Sequence, residues 1–307
     1  MQGRGDQPPG INSQLSLEHK SVLIFVILHQ TTAVKIKQIT VLLTLLIFFG
    51  CKKNGSTNTP VGTMLSSVTT KNDGNTDSTK ILFSYDANNK FIHGTGLWNF
   101  SGFTGSYNSY LTRNSLGFIN RITVVGGVTN IYIVTNDGSD HYVSRITDVP
   151  LATRDSVAFS YTGSNVTHIS DYTYNQFGDG VYDLVGEGFN TYDGNGNIIT
   201  QETIFYSNVG IIDYHSITTY TYDSRINALR LNDDSFNTGL YGYIGSSYPY
   251  FTGANNVVSE SYVDLINSAN NHTYTYSYTY NSNNMPASAI ETMQPSGDMY
   301  TKIYTYQ

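Results

Sequence analysis

The stretch His272-Thr273-Tyr274-Thr275-Tyr276-Ser277-Tyr278-Thr279-Tyr280 decides the fold class. Side chains alternate faces along a strand, so its tyrosines share one face and its Thr and Ser residues the other. Outward from it the period stays at two. Lys80-Ile81-Leu82-Phe83-Ser84-Tyr85 alternates towards its end, and Asn130-Ile131-Tyr132-Ile133-Val134-Thr135 is β-branched and aromatic throughout. After residue 62 no stretch of helical length carries an amphipathic stripe.

The strands end in turn chemistry. Asp86-Ala87-Asn88-Asn89, Asn136-Asp137-Gly138, Asp193-Gly194-Asn195-Gly196-Asn197 and Asn281-Ser282-Asn283-Asn284 tolerate positive φ or bond their own backbone. The recurrence of these signals is the rhythm of an antiparallel meander. It predicts an all-β chain of about 14–16 strands, too many for one flat sheet. The sheet is therefore expected to curl into an open or closed barrel, or to fold into two layers.

Composition agrees. Charged residues make up 13% of 307, about half the usual share. With 26 Tyr and 28 Gly the chain is neither a coiled coil nor a disordered polymer. One Cys excludes a disulfide scaffold, and a net charge of −7 argues against a nucleic-acid partner.

Residues 1–50 differ from the rest and hold none of the tyrosines. Val41–Phe49 is a short apolar run preceded by Lys35 and Lys37 and followed by Gly50-Cys51-Lys52-Lys53, the layout of a secretory signal peptide. At nine residues it is too short to span a bilayer as a helix. Counting back from Gly50, residues 34–50 make a 17-residue leader, with residues 1–33 as an upstream extension outside the protein. Removing the four Lys/Arg and two Asp/Glu of residues 1–50 leaves 12 basic and 21 acidic groups, net −9. Residues 51–62 read as a flexible tether and 63–307 as a single β domain.

Leu45-Leu46-Ile47-Phe48-Phe49-Gly50-Cys51 resembles a bacterial lipobox of the looser, Bacteroidota type. The resemblance implies acylation of Cys51 and anchorage of the mature protein to a membrane. It implies an outer-membrane lipoprotein of the bacterial cell envelope. Surface display in such lipoproteins follows an acidic stretch after the cysteine, which Lys52-Lys53-Asn54-Gly55-Ser56 lacks.

An internal repeat runs through the β region: aromatic-x-Tyr, then Asp, Asn or Thr, a turn, and an apolar strand. It appears at Phe83-Ser84-Tyr85-Asp86, Phe159-Ser160-Tyr161-Thr162, Tyr172-Thr173-Tyr174-Asn175, Tyr220-Thr221-Tyr222-Asp223 and Tyr278-Thr279-Tyr280-Asn281, with a partial copy at Tyr192-Asp193. These residues resemble the tyrosine–aspartate repeats of secreted bacterial β proteins. More closely, they resemble a Bacteroidota-type lipoprotein family of unknown function whose repeated hairpins form a porin-like, open β-barrel. That family supplies no catalytic residues to carry over.

Catalytic and metal signatures are weak. Asp193-x-Asn195-x-Asn197 begins like a calcium loop, but Ile198 and Ile204 stand where Gly and Glu are required. The five histidines beyond Cys51 (His93, His141, His168, His215, His272) are scattered, so no metal is expected. No cofactor motif is present, and no Gly-x-Ser-x-Gly elbow. Asp171, Asp183, Glu187, Glu202, Glu260 and Glu291 lie in or near strands, and spacing alone selects no glycosidase pair among them.

The positive signal is aromatic. Asp233–Phe251 breaks the meander and concentrates Tyr241, Tyr243, Tyr248, Tyr250 and Phe251 among Gly and Pro. Such an insertion is either a recognition surface or a plug for the barrel. Trp98, the only Trp, is a second candidate stacking platform. The expected function is a lipid-anchored, non-enzymatic module binding a glycan, peptide or envelope protein. A glycan-active hydrolase is the alternative. An integral outer-membrane barrel fits less well, because both strand faces carry Thr, Ser and Asn.

Overall fold

The structure is a computed structural model that describes residues 64–307 other than 128, 139–140, 148–154, 175–179, 209 and 230–252. Cys51 and the aromatic insertion residues Tyr241, Tyr243, Tyr248 and Tyr250 lie outside the described residues. Sixteen strands follow in order: β1 (Leu65–Asn72), β2 (Ser78–Tyr85), β3 (Phe91–Phe100), β4 (Phe103–Arg113), β5 (Ile119–Val125), β6 (Thr129–Asn136), β7 (Tyr142–Thr147) and β8 (Asp155–Thr162). Then come β9 (Asn165–Tyr174), β10 (Tyr182–Tyr192), β11 (Ile198–Asn208), β12 (Ile211–Ile226), β13 (Asn255–Asp264), β14 (His272–Tyr280), β15 (Pro286–Gln294) and β16 (Met299–Tyr306). The one described helical turn is a 3-10 turn at Ser268–Asn270.

Every strand pairs antiparallel with the next, and β1 pairs with β16, so the meander closes into a barrel. Closure satisfies the edge that an open sheet would leave exposed. The β1–β2, β3–β4 and later odd-to-even turns form one rim, here the upper rim. The even-to-odd turns form the lower rim, where the chain also enters β1 and leaves β16.

Four of the lower-rim turns share one construction. Asp86 Oδ1 accepts from the backbone N–H of Asn88 and Lys90, and Asn114 Oδ1 from Leu116 and Phe118. Asp193 Oδ1 does the same for Asn195 and Asn197, and Asn281 Oδ1 for Asn283 and Met285. The fourth residue of each turn has positive φ: Asn89 at 62°, Gly117 at 88°, Gly196 at 82° and Asn284 at 59°. Only Gly and Asn take that conformation readily, which is why they recur there. A register slip before each turn marks the bulge that goes with it. The next strand then opens on a buried apolar residue, Phe91, Ile119, Ile198 or Pro286.

The period of two separates an inner from an outer face. On β14, Tyr276 is buried and Tyr274, Tyr278 and Tyr280 are half-buried, whereas Thr275, Ser277 and Thr279 are exposed. The inner face carries two apolar clusters. One joins β1–β7 with β15 and β16 through Leu65, Ile81, Phe83, Leu111, Ile122 and Tyr304. The other joins β8 and β9 with β11–β14 through Val157, Phe159, Ile169, Tyr220 and Tyr276. Burial pushes the hydroxyls of Tyr220, Tyr278 and Tyr304 well above their ordinary pKa, so these rings pack as neutral groups. An ion pair, Lys302 Nζ to Glu291 Oε2 at 2.5 Å, also lies inside, with Lys302 over the Tyr276 ring.

The outer face is mixed. Thr221 Oγ1 meets Ser259 Oγ at 2.6 Å, and Thr279 Oγ1 meets Ser288 Oγ at 2.7 Å. Exposed Leu97, Ile133, Ile146, Ile290 and Ile303 are interspersed with Lys80, Arg121, Glu187 and Glu202. A lipid-facing barrel shows a continuous apolar band, and a Lys or Arg at mid-membrane depth costs about 2–4 kcal/mol. The described outer face mixes exposed apolar side chains with charged and hydroxyl ones.

Candidate functional site

The aromatic insertion springs from the lower rim between β12 and β13, and its neck is held from several sides. The Asn227 N–H donates to the Ala254 carbonyl at 3.1 Å, and Asn227 Nδ2 donates to the Gly253 carbonyl at 3.1 Å. Asp223 accepts from the Asn256 N–H at 3.1 Å, from Asn256 Nδ2 at 3.0 Å and from the Tyr280 hydroxyl. Arg225 donates to Asn284 Oδ1, and its guanidinium lies 5.3 Å from the Tyr280 ring centre. Asn197 reaches over from the β10–β11 turn. Its Nδ2 donates to Asn255 Oδ1 and its Oδ1 accepts from the Asn255 N–H, both at 3.0 Å. Asn197, Asn227 and Asn256 are at most 3% exposed.

Arg225, Asn227, Asn255 and Asn256 carry no motif in the sequence. Their only signal was the Asn and Asp enrichment flanking the insertion, which looks the same as ordinary turn chemistry. The calcium-like stretch has another use here: Asp193 caps its own turn and Asn197 grips the neck. Hydrogen bonds from Asn197, Asn195 and Gly196 together outweigh the effect of burial and lower the Asp193 pKa.

Trp98 sits near the upper rim on the β3–β4 hairpin, in register with Gly105 and Thr79. Its ring is 5.8 Å from that of Tyr107 and partly buried against the first apolar cluster. It lies on Gly105 so closely that a Cβ there would come within 2.1 Å of its Cζ2 atom. Trp98 and the neck of the insertion therefore belong to opposite rims. At the tip of the same hairpin Phe103 is 80% exposed.

The fold sorts the candidate carboxylates. Asp171, Asp183, Glu260 and Glu291 lie on the inner face, in register with Val157, Thr173, Tyr220 and Tyr276 respectively. Glu187 and Glu202 lie on the outer face of adjacent strands. Each is engaged by a histidine, Glu187 Oε1 by His168 Nε2 at 3.0 Å and Glu202 Oε1 by His215 Nε2 at 2.7 Å. Glu187 Oε2 also accepts from the Tyr206 hydroxyl at 2.7 Å, a bond that leads burial in pushing the tyrosine up to about 12.

Ser170, His168 and Glu187 have the composition of a catalytic triad but not its geometry. Ser170 Oγ at 3.3 Å and Glu187 at 3.0 Å both approach the same ring nitrogen, Nε2. A relay needs the acid on one nitrogen and the nucleophile on the other. The histidines serve the sheet instead. His93 stacks on Tyr110, His141 on Tyr161, His168 on Phe189 and His272 on Tyr262, with ring centres 4.3–4.5 Å apart. Among the described residues no three His, Cys, Asp or Glu side chains are grouped to hold a metal ion.

Closed pairing, alternation and chain order define the class: an all-antiparallel, sixteen-stranded, up-and-down β-barrel. The structure is similar to that of a porin-like protein from Bacteroides uniformis, with a TM-score of 0.53 and 12% identity over 79% of this chain and 98% of that one. A porin-like protein from Bacteroides vulgatus matches at a TM-score of 0.46 and 12% identity, over 80% of this chain and 98% of that one. No family model and no curated protein matches the sequence. At this identity the likeness is one of fold. The porin-like barrel implied by the repeat is present, and it is closed rather than open.

Proposed function

We propose that the chain is a lipid-anchored protein of the bacterial cell envelope that binds a glycan, peptide or partner protein through its aromatic insertion. The observation that carries this reading is the packing of the barrel. Sixteen-stranded porins leave an aqueous channel. Here Arg145, Val157, Phe159, Gln201, Tyr220, Glu260 and Tyr276 point inward and are each less than 10% exposed. A packed interior supports a scaffold rather than a conduit, and a mixed outer face supports a barrel held at a membrane by a tether rather than embedded in it. From Cys51 to Met64 an extended chain reaches at most about 45 Å. It arrives at the lower rim, which also carries the neck of the insertion. A rigid neck under an aromatic insertion lowers the ordering cost of recognition.

The test is a glycan array and an envelope pull-down with the acylated chain and its Tyr248→Ala/Tyr250→Ala variant. The variant is expected to lose binding at unchanged melting temperature. Undiminished binding with lowered thermal stability would make the insertion a plug and overturn the proposal.

A further inference from the structure

Inside the barrel, at the upper rim, four strands bring a second set of polar groups together. One cross-strand row runs through Asp155, Thr173 and Asp183, and continuing the β7–β8 register one step beyond the Ile146–Ser156 pair puts Thr147 opposite Asp155. The next row runs through Arg145, Val157, Asp171 and Gly186. All of these side chains share the inner face. Arg145, Thr147 and Asp183 are 2%, 6% and 7% exposed. Asp171 feels the charges of both Asp155 and Arg145, and the Arg145 guanidinium itself lies 4.7 Å from the centre of the Tyr132 ring.

Two acceptors in this set are buried without a hydrogen-bond partner, Thr147 Oγ1 and Asp171 Oδ1. A buried unsatisfied oxygen costs about 1–3 kcal/mol, more when charged. Asp155 Oδ1 is already engaged by Thr173 Oγ1 at 3.1 Å. Gly186, opposite Asp171, leaves the inner face beside that carboxyl without a side chain. We propose that this cage binds a primary ammonium group, as on a lysine side chain or an alkyl amine, between Thr147, Asp155 and Asp171.

The chemistry selects the ligand. An ammonium is compact, carries one positive charge and offers three N–H donors with no acceptor. The cage offers acceptors and a surplus of negative charge, so an anion is repelled. The carboxylates are not grouped for a metal ion. Burial, helped by Asp155 and opposed by Arg145, raises the Asp171 carboxyl to about 7. An arriving cation favours the carboxylate form, so binding near pH 7 releases protons. Thr147 ends β7 and Asp155 begins β8, so the cage lies at the upper-rim end of these strands. The neck of the insertion is at the opposite rim, and this proposal stands or falls independently of the proposed function.

The test is isothermal titration of the full chain with Nα-acetyl-lysine methylamide, its Nε-acetylated form, Nα-acetyl-arginine methylamide and calcium chloride. The lysine compound is expected to bind, and the uncharged Nε-acetyl form is not. Asp171→Asn and the near-isosteric Thr147→Val should each weaken binding about tenfold, the scale of one charge-assisted hydrogen bond. At pH 7 the heat should depend on the ionisation enthalpy of the buffer, and at pH 9 it should not. The Tyr248→Ala/Tyr250→Ala variant should bind the lysine compound as the parent does. Absence of binding, equal binding of the Nε-acetyl compound, preference for calcium or the arginine compound, or full affinity in both cage variants would each overturn the proposal.

Discussion

The Tyr85 hydroxyl donates a 2.8 Å hydrogen bond to the carbonyl of Leu65, twenty residues earlier, and so closes the open end of the β1–β2 hairpin. The same latch recurs around the lower rim. Tyr161 bonds the carbonyl of Tyr142, Tyr192 that of Val166, Tyr222 that of Ile198 and Tyr306 that of Pro286, at 2.6–3.0 Å. Between β3 and β4, Arg113 Nη2 takes the tyrosine's place and donates to the Phe91 carbonyl. Six hairpins are thus turned at the upper rim and latched at the lower. At Tyr85, Tyr161, Tyr192 and Tyr222 the tyrosine of the sequence repeat is a fastening, whereas Tyr280 donates to Asp223; Asp86, Asp193, Asp223 and Asn281 cap the turns that follow.

Removing one latch should cost about 0.5–1.5 kcal/mol, the net worth of a neutral hydrogen bond. Tyr222→Phe keeps the ring and deletes the bond to Ile198. Its urea midpoint should fall accordingly. Tyr110→Phe, at an exposed outer position, should stay within about 0.5 kcal/mol of the parent.

Asp193→Ala removes a turn cap and should destabilise by about 1 kcal/mol at neutral pH. The Asp193 pKa is lowered in the fold, so its contribution is present above the unfolded value near 4 and is lost as pH falls through the folded value. Unfolding curves of variant and parent should converge in acid.

Asp171→Asn should behave oppositely. A carboxyl raised to about 7 favours the fold while protonated, and that contribution disappears as pH rises from about 4 to 7. At pH 8 the variant should be more stable than the parent by about 1–3 kcal/mol, and below pH 4 the two should match. Thermal melts across that range check it.

Gly105→Ala forces Trp98 off its seat. The clash should cost about 1–3 kcal/mol and change the emission of the only tryptophan. A Gly105→Ala/Trp98→Leu double variant should be destabilised by less than the sum of the two single changes.

Cys51 should carry acyl chains in protein extracted from membranes, read by intact mass. Cys51→Ala should appear in the soluble fraction. A soluble parent with an unmodified thiol would contradict the anchor.

Fold class was legible because the period of two is a local property. The tyrosine row of β14 must face one way whatever its neighbours are. Turn positions were legible for the same reason: an Asp or Asn that caps its own backbone acts within four residues. The latch was half legible. The repeat exposed the tyrosine, but its acceptor lies 19–26 residues away and is a backbone carbonyl, which has no sequence signature. The neck of the insertion was hidden similarly. Asn197 grips Asn255 across 58 residues, and neither differs in type from the surrounding turn asparagines.

By itself, then, the sequence determined the strands, the turns and the alternation, since these follow from backbone sterics and side-chain period. Only the tertiary structure decided that the sheet closes β1 on β16, because closure depends on the summed stagger and twist of all sixteen strands. It also decided which carboxylates matter to each other. Asp155, Asp171 and Asp183 share the inner face, while Glu187 and Glu202 lie on the outer face of the same wall, because register, which no local pattern encodes, sets each residue's cross-strand neighbours.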